Sequence, residues 1–137
     1  MRADTQTVTI PVQAAEVFRF LADPANLPKW AVGFCHTIRP DADGEHWLAQ
    51  TAQGEVRVRY RTDPATGVID YHLAPAPGVE LVAHSRVVPN GEGAEYVFTQ
   101  FQAPGTPDAV FESQVEALRE ELVVLRALLK ARAACPA

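Results

Sequence analysis

The chain has 137 residues, 47% of them hydrophobic and 21% charged, with a formal charge of −5. That length suits one folding unit, residues 1–137, burying roughly two-thirds of the surface its unfolded chain exposes. The acidic balance argues against a nucleic acid or an anionic membrane as partner, and no apolar run approaches the ~18 residues of a membrane span.

Met1-Arg2-Ala3-Asp4 lacks the apolar core of a signal peptide. Cys35 and Cys135 are the only cysteines, so free thiols in a reducing cytoplasm are expected, not a disulfide framework. Thr5 to Ile10 alternates, with Val8 and Ile10 on one face and threonines on the other, which predicts a strand ended by Pro11. Ala14, Val17, Phe18 and Leu21 follow helical spacing up to Asp23-Pro24. Ala25 to Trp30 reads as a further helical turn or a loop, limited by Pro28.

Six strand-like runs follow, at about 34–39, 46–51, 55–61, 68–73, 79–88 and 94–101. The spacers between them, among them Asp43-Gly44, Gln53-Gly54 and Asn90-Gly91, suit hairpins. The last segment, Thr106 to about Arg132, places Phe111, Val115, Leu118, Leu122, Leu125 and Leu129 in steps of four and three. That is one stripe of a helix about 40 Å long. Thr106 is placed to cap it and Pro107 to occupy its first position. Glu112, Glu116, Glu120 and Glu121 load the early turns and Lys130 and Arg132 the late ones, as the helix dipole favours.

This order, with Val8-Thr9-Ile10-Pro11, Val17-Phe18-Arg19-Phe20-Leu21-Ala22-Asp23-Pro24 and Asn26-Leu27-Pro28-Lys29-Trp30, resembles the START-like (Bet v 1-like) superfamily over nearly the whole chain. Within it the chain is most similar to the polyketide cyclase/dehydrase and lipid-transport branch. The resemblance implies an α+β helix-grip fold. A seven-stranded curved antiparallel sheet would wrap the long C-terminal helix, with short helices between strands 1 and 2 and a hydrophobic cavity between sheet and helix. The scaffold carries binding, transport, cyclisation and co-chaperone roles alike.

Hairpin arithmetic assigns the faces. A two-residue Asn90-Gly91 turn pairs Arg86 with Glu95 on the wet side, and puts Ser85, Ala83, Tyr96, Phe98 and Gln100 inside. A Gln53-Gly54 turn pairs Trp47 with Tyr60 and Thr51 with Val56, and turns Arg57, Arg59 and Arg61 outward. Ile69, Tyr71 and Leu73 form the apolar parity of the next strand. An Asp43-Gly44 turn places Phe34, His36 and Ile38 inward. A one-residue slip or a bulge inverts any of these assignments.

The expected ligand-binding set is therefore Trp30, Trp47, Thr51, Tyr60, Tyr71, Ser85, Tyr96, Phe98, Gln100, Phe111 and Val115: apolar walls with sparse hydrogen-bonding groups. Packing alone also accounts for the tyrosines and for Trp30. His36 is the only histidine expected inside, and with Tyr60 it forms the candidate catalytic pair for acid–base chemistry. A satisfied core or edge histidine is the alternative. His46, His72 and His84 face outward, no metal-binding spacing occurs, and no phosphate-binding glycine motif is present, so neither metal nor cofactor is expected.

The sequence thus points to a protein that binds a small hydrophobic or aromatic molecule. By its resemblance it is either a cyclase/dehydratase-type enzyme or a lipid or quinone carrier or sensor. A co-chaperone-like interaction module is the third alternative, and a homodimer is left open.

Overall fold

Alternating sequence becomes strand at each place expected. In this computed structural model, which describes residues 1–134, the strands are β1 (Ala3–Ile10), β2 (Cys35–Pro40), β3 (Trp47–Thr51), β4 (Gly54–Asp63), β5 (Val68–Ala76), β6 (Val79–Asn90) and β7 (Gly93–Phe101). All pair antiparallel in one seven-stranded sheet of order β1-β7-β6-β5-β4-β3-β2. The meander builds β2 to β7, and β1 returns to the far edge beside β7. Cys135 lies outside the described residues.

Between β1 and β2 run α1 (Ala14–Leu21), a 3₁₀ turn (Pro24–Asn26) and α2 (Leu27–Trp30). The Asp23 carboxylate caps the turn by accepting from the Ala25 N–H at 3.0 Å, and the Asn26 amide donates to the Phe20 carbonyl at 2.9 Å. These bonds fix the chain reversal that swings Leu27 and Trp30 into the core.

The long helix α3 (Asp108–Ala134) buries Phe111, Leu118, Glu121, Leu122, Leu125 and Leu129. It starts one residue later than expected. The Pro107 carbonyl accepts from the Val110 and Phe111 N–H groups, so Pro107 sits at the helix boundary where its missing donor costs nothing. The helix packs against β1 and α2, while α1 closes over β6 and β7. A curved sheet gripping a C-terminal helix, with short helices between β1 and β2, is the helix-grip arrangement.

The observed register corrects the hairpin arithmetic. At the β6–β7 turn Asn90 pairs with Gly93, so Arg86 faces Val97 and Glu95 faces Val88. The expected Arg86–Glu95 pair does not form: Arg86 donates to the Thr66 carbonyl at 2.8 Å, and Glu95 accepts from Thr9 Oγ1 at 2.7 Å. The cause is backbone conformation. Gly91 takes φ +59 as the first central residue, whereas a turn centred on Asn90-Gly91 needs positive φ at Asn90 as well. At β3–β4 Thr51 pairs with Gly54, so Trp47 faces Val58 and not Tyr60, which faces Tyr71. Both shifts are two residues, and a two-residue slip leaves every side chain on its expected face.

Candidate functional site

Three strands place a hydroxyl chain on the inner face of the sheet. Ser85 on β6 donates through Oγ to the Ile69 carbonyl of β5 at 2.6 Å, because the register sets these residues opposite one another. Tyr96 on β7 donates to Ser85 Oγ at 2.9 Å, and the Tyr71 and Tyr96 hydroxyls meet at 2.7 Å. All three side chains are buried. Burial pushes the Tyr71 phenol up to about 12 and raises Tyr96 well above the ordinary tyrosine value, so both hydroxyls keep their protons.

Aromatic rings surround the chain. Tyr60 stands edge-on to Tyr71 at 4.9 Å between centroids, Phe98 lies 5.7 Å from Tyr71, and Trp30 meets Tyr96 edge-on at 6.2 Å. Burial also raises Tyr60 well above its ordinary value, and among the described residues its hydroxyl has no hydrogen-bond partner.

Two groups that sequence reasoning passed over join this interior. Glu121 on α3 is 7% exposed, and its Oε2 accepts from the Gly33 N–H at 3.1 Å. Burial raises its carboxyl to about 7, against the pull of the Gly33 and Phe34 N–H groups. Gly33 suits the position because an added Cβ would lie 3.3 Å from Ala117 Cβ and 3.4 Å from Glu121 Oε2. Cys35 at the start of β2 is buried, and burial, then the Glu121 charge, push its thiol up to about 11. The signal for Glu121 was present. Leu118, Glu121 and Leu125 are spaced three and four apart, which puts the acid on the apolar stripe.

Of the expected set, Trp30, Tyr60, Tyr71, Ser85, Tyr96 and Phe98 come together. The others do not. His36 is exposed, a correction with a clear cause: the β2–β3 register slips between Cys35 and Thr37, and this bulge turns Cys35 inward in place of His36. Thr51 is buried but spends its hydroxyl on its own turn, donating to the Gly54 carbonyl at 2.7 Å and accepting from the Gln53 N–H. Phe111 packs apart from the main core, under the Arg2 guanidinium at 5.2 Å.

Gln100 and Val115 lie where β1 and β7 face the N-terminal half of α3. There Gln6 donates to the Val115 carbonyl at 2.9 Å, and Gln100 Nε2 is buried without a partner. Trp47 sits half-buried at the rim, outside the main core cluster.

The cavity expected among these aromatics coincides with neither of two surface clefts. These clefts, of about 260 and 610 Å³, share Glu80 beside the β5–β6 hairpin tip and open away from the tyrosines. In the interior the rings pack on one another, and the Tyr71, Tyr96 and Ser85 hydroxyls pair among themselves and with the Ile69 carbonyl. On the outer face His46, His72 and His84 pair with Asp43, Glu80 and Asp70 at 2.7, 2.9 and 3.0 Å. Among the described residues no group of three or more His, Cys, Asp or Glu could hold a metal ion, and no helix is long and apolar enough to cross a membrane.

A gripped helix over a sheet whose inner face carries apolar rings and a few converging polar groups defines a helix-grip protein with a polar-centred aromatic interior. The chain belongs to the polyketide cyclase/dehydrase and lipid transport family, whose model matches residues 1–132. No curated protein matches the sequence.

Solved structures repeat the fold. The di-domain ARO/CYC BexL, from the BE-7585A biosynthetic pathway, is 19% identical with a TM-score of 0.73, over 93% of this chain and 46% of that one. The Aha1 dimer of Colwellia psychrerythraea is 14% identical with a TM-score of 0.74, over 95% and 97%. Ara h 8.0201 is 14% identical with a TM-score of 0.69, over 95% and 98%.

Proposed function

We propose that this protein binds a small, largely hydrophobic or aromatic molecule between the sheet and α3, against Tyr60, Tyr71, Tyr96 and Phe98. The observation that carries this reading is the Tyr71–Tyr96–Ser85 hydroxyl chain set among aromatic rings on the inner face. A core built for stability alone gains little from three buried hydroxyls, since a typical hydrogen bond adds only about 1 kcal/mol net. Apolar walls with a few oriented polar groups are what a small-molecule site requires. Family membership supports the same reading. The ligand displaces the Tyr60 ring, which is half-buried and not anchored by a hydrogen bond of its own.

A second reading, acid–base catalysis of a cyclisation or dehydration, is favoured by Glu121. A buried carboxyl poised near neutrality suits proton transfer. His36 has no part in either reading, because it faces solvent. The reading takes residues 1–137 as one unit working in the cytoplasm, where Cys35 stays a thiol. A second copy of the chain as partner is supported by the Aha1 structure, which is described as a dimer.

Native mass spectrometry of the protein as expressed tests the binding reading. A co-purified lipid or quinone marks a carrier. An empty protein that takes up polyketide-like phenols favours the enzyme. An empty protein that binds no member of a panel of phenols, quinones and fatty acids overturns the pocket and leaves an interaction module.

A further inference from the structure

The hydroxyl chain has a fixed direction, and that direction limits what a ligand can offer it. Ser85 Oγ lies 2.6 Å from the Ile69 carbonyl oxygen. A carbonyl only accepts, so the single Ser85 proton is committed there. Tyr96 Oη, 2.9 Å from Ser85 Oγ, must then supply the proton of that contact. With the Tyr96 proton used, the 2.7 Å contact between the tyrosines takes its proton from Tyr71. All three protons run one way, toward the Ile69 carbonyl, and Tyr71 Oη is left with lone pairs only.

We propose that Tyr71 Oη is the specificity-determining acceptor of this site and selects ligands that present a hydrogen-bond donor. The ligand class is an aromatic compound bearing a phenolic or enolic hydroxyl, preferred over ethers and ketones of the same shape. This rests on the binding reading above and deepens it. The Phe98 ring, 5.7 Å from Tyr71, supplies an apolar wall for the frame that carries the hydroxyl, and that frame takes the place of the Tyr60 ring, which stands 4.9 Å from Tyr71. An ether or ketone at Tyr71 sets lone pair against lone pair. Accommodating it means turning the Tyr71 proton away from Tyr96, which breaks that bond unless the whole chain reverses and gives up the Ser85–Ile69 bond instead. Tyr71 therefore has no proton with which to polarise a carbonyl, whereas Tyr60 does.

The experiment compares 1-naphthol with 1-methoxynaphthalene in fluorescence titrations of the wild type, Tyr71→Phe and Ser85→Ala. The wild type is expected to favour naphthol by ~10-fold or more, the scale of one hydrogen bond gained or left unmade. Tyr71→Phe removes the acceptor and should bring the two affinities within about 2-fold.

In Ser85→Ala the Tyr96 proton loses its acceptor and turns to Tyr71, whose own proton then points at the ligand. The preference should shift toward the ether, and the size difference between the probes cancels in that comparison. Either variant alone, confirmed folded by circular dichroism, suffices. Equal wild-type affinities, a preference for the ether, or a ratio unchanged in both variants overturns the polarity while leaving binding intact. Binding of neither probe overturns the proposed ligand class, and the binding reading falls with it only if the panel of phenols, quinones and fatty acids also fails to bind.

Discussion

Glu121 stands in a core of leucines with the backbone N–H groups of Gly33 and Phe34 to hold its charge, and that balance sets how it responds to pH. Its carboxyl titrates at about 7 in the fold against an ordinary 4.5, so the folded state favours the neutral acid. A raised carboxyl contributes most favourably below pH 4.5, loses that contribution as pH rises from 4.5 to 7, and is least favourable above 7. At ~1.4 kcal/mol per unit the full change is roughly 3 kcal/mol. Glu121→Gln keeps a carbonyl oxygen for the Gly33 N–H and cannot ionise. Urea titrations near pH 5 and pH 8 should therefore show the wild type losing about 2–3 kcal/mol relative to this variant as pH rises. A difference that stays flat over the range would mean that Glu121 ionises in contact with water.

The helix α3 and the hairpins differ in how openly their sequences declare them. On α3 the three-and-four spacing of Leu118, Leu122, Leu125 and Leu129 predicts both the helix and its buried face. Leu122→Ala should cost about 2–5 kcal/mol, as a large-to-small change at a buried position. Val123→Ala, one residue on and on the solvent side, should stay within about 0.5 kcal/mol. Similar thermal shifts for the two would remove α3 as the central packing element.

Hairpin faces were legible for the same reason, because period two survives a two-residue error in the turn. Pair partners were not, because they depend on which turn residue takes positive φ, and Gly91 took it alone. The His36 position was lost to a bulge, a one-residue event that leaves no mark in a run such as Phe34 to Ile38. Glu121 was lost differently. Its spacing placed it inside, but its charge assigned it to the dipole. Burial of a lone carboxyl is rare enough that composition overrode geometry.

Across the whole molecule, burial on the inner face runs in one direction. At the α1 end, Ile10, Val87, Ala94 and Tyr96 are sealed, and α1 lies over β6 and β7. Toward the β5–β6 tip the same face carries Trp47 and Leu73 half-buried, then Leu81 at 37% and Val79 at 45% exposure. There α3 lies over β1 at the sheet edge, held by the Gln6 contact to its Val115 carbonyl, and leaves the ends of β5 and β6 uncovered. Under the binding reading proposed above, this uncovered apolar strip leading to the tyrosines is the route that would disturb packing least. Leu81→Lys puts a charge on that strip, away from the sealed end. It should weaken 1-naphthol binding by about 10-fold, the worth of one partly buried leucine side chain, and change stability by no more than about 0.5 kcal/mol. Val123→Lys, on the outer side of α3, serves as the control and should leave affinity unchanged. Unaltered affinity in Leu81→Lys would rule out this route and direct attention to the seam between α1 and the C-terminal half of α3, where Arg132 lies 4.9 Å over the Phe20 ring.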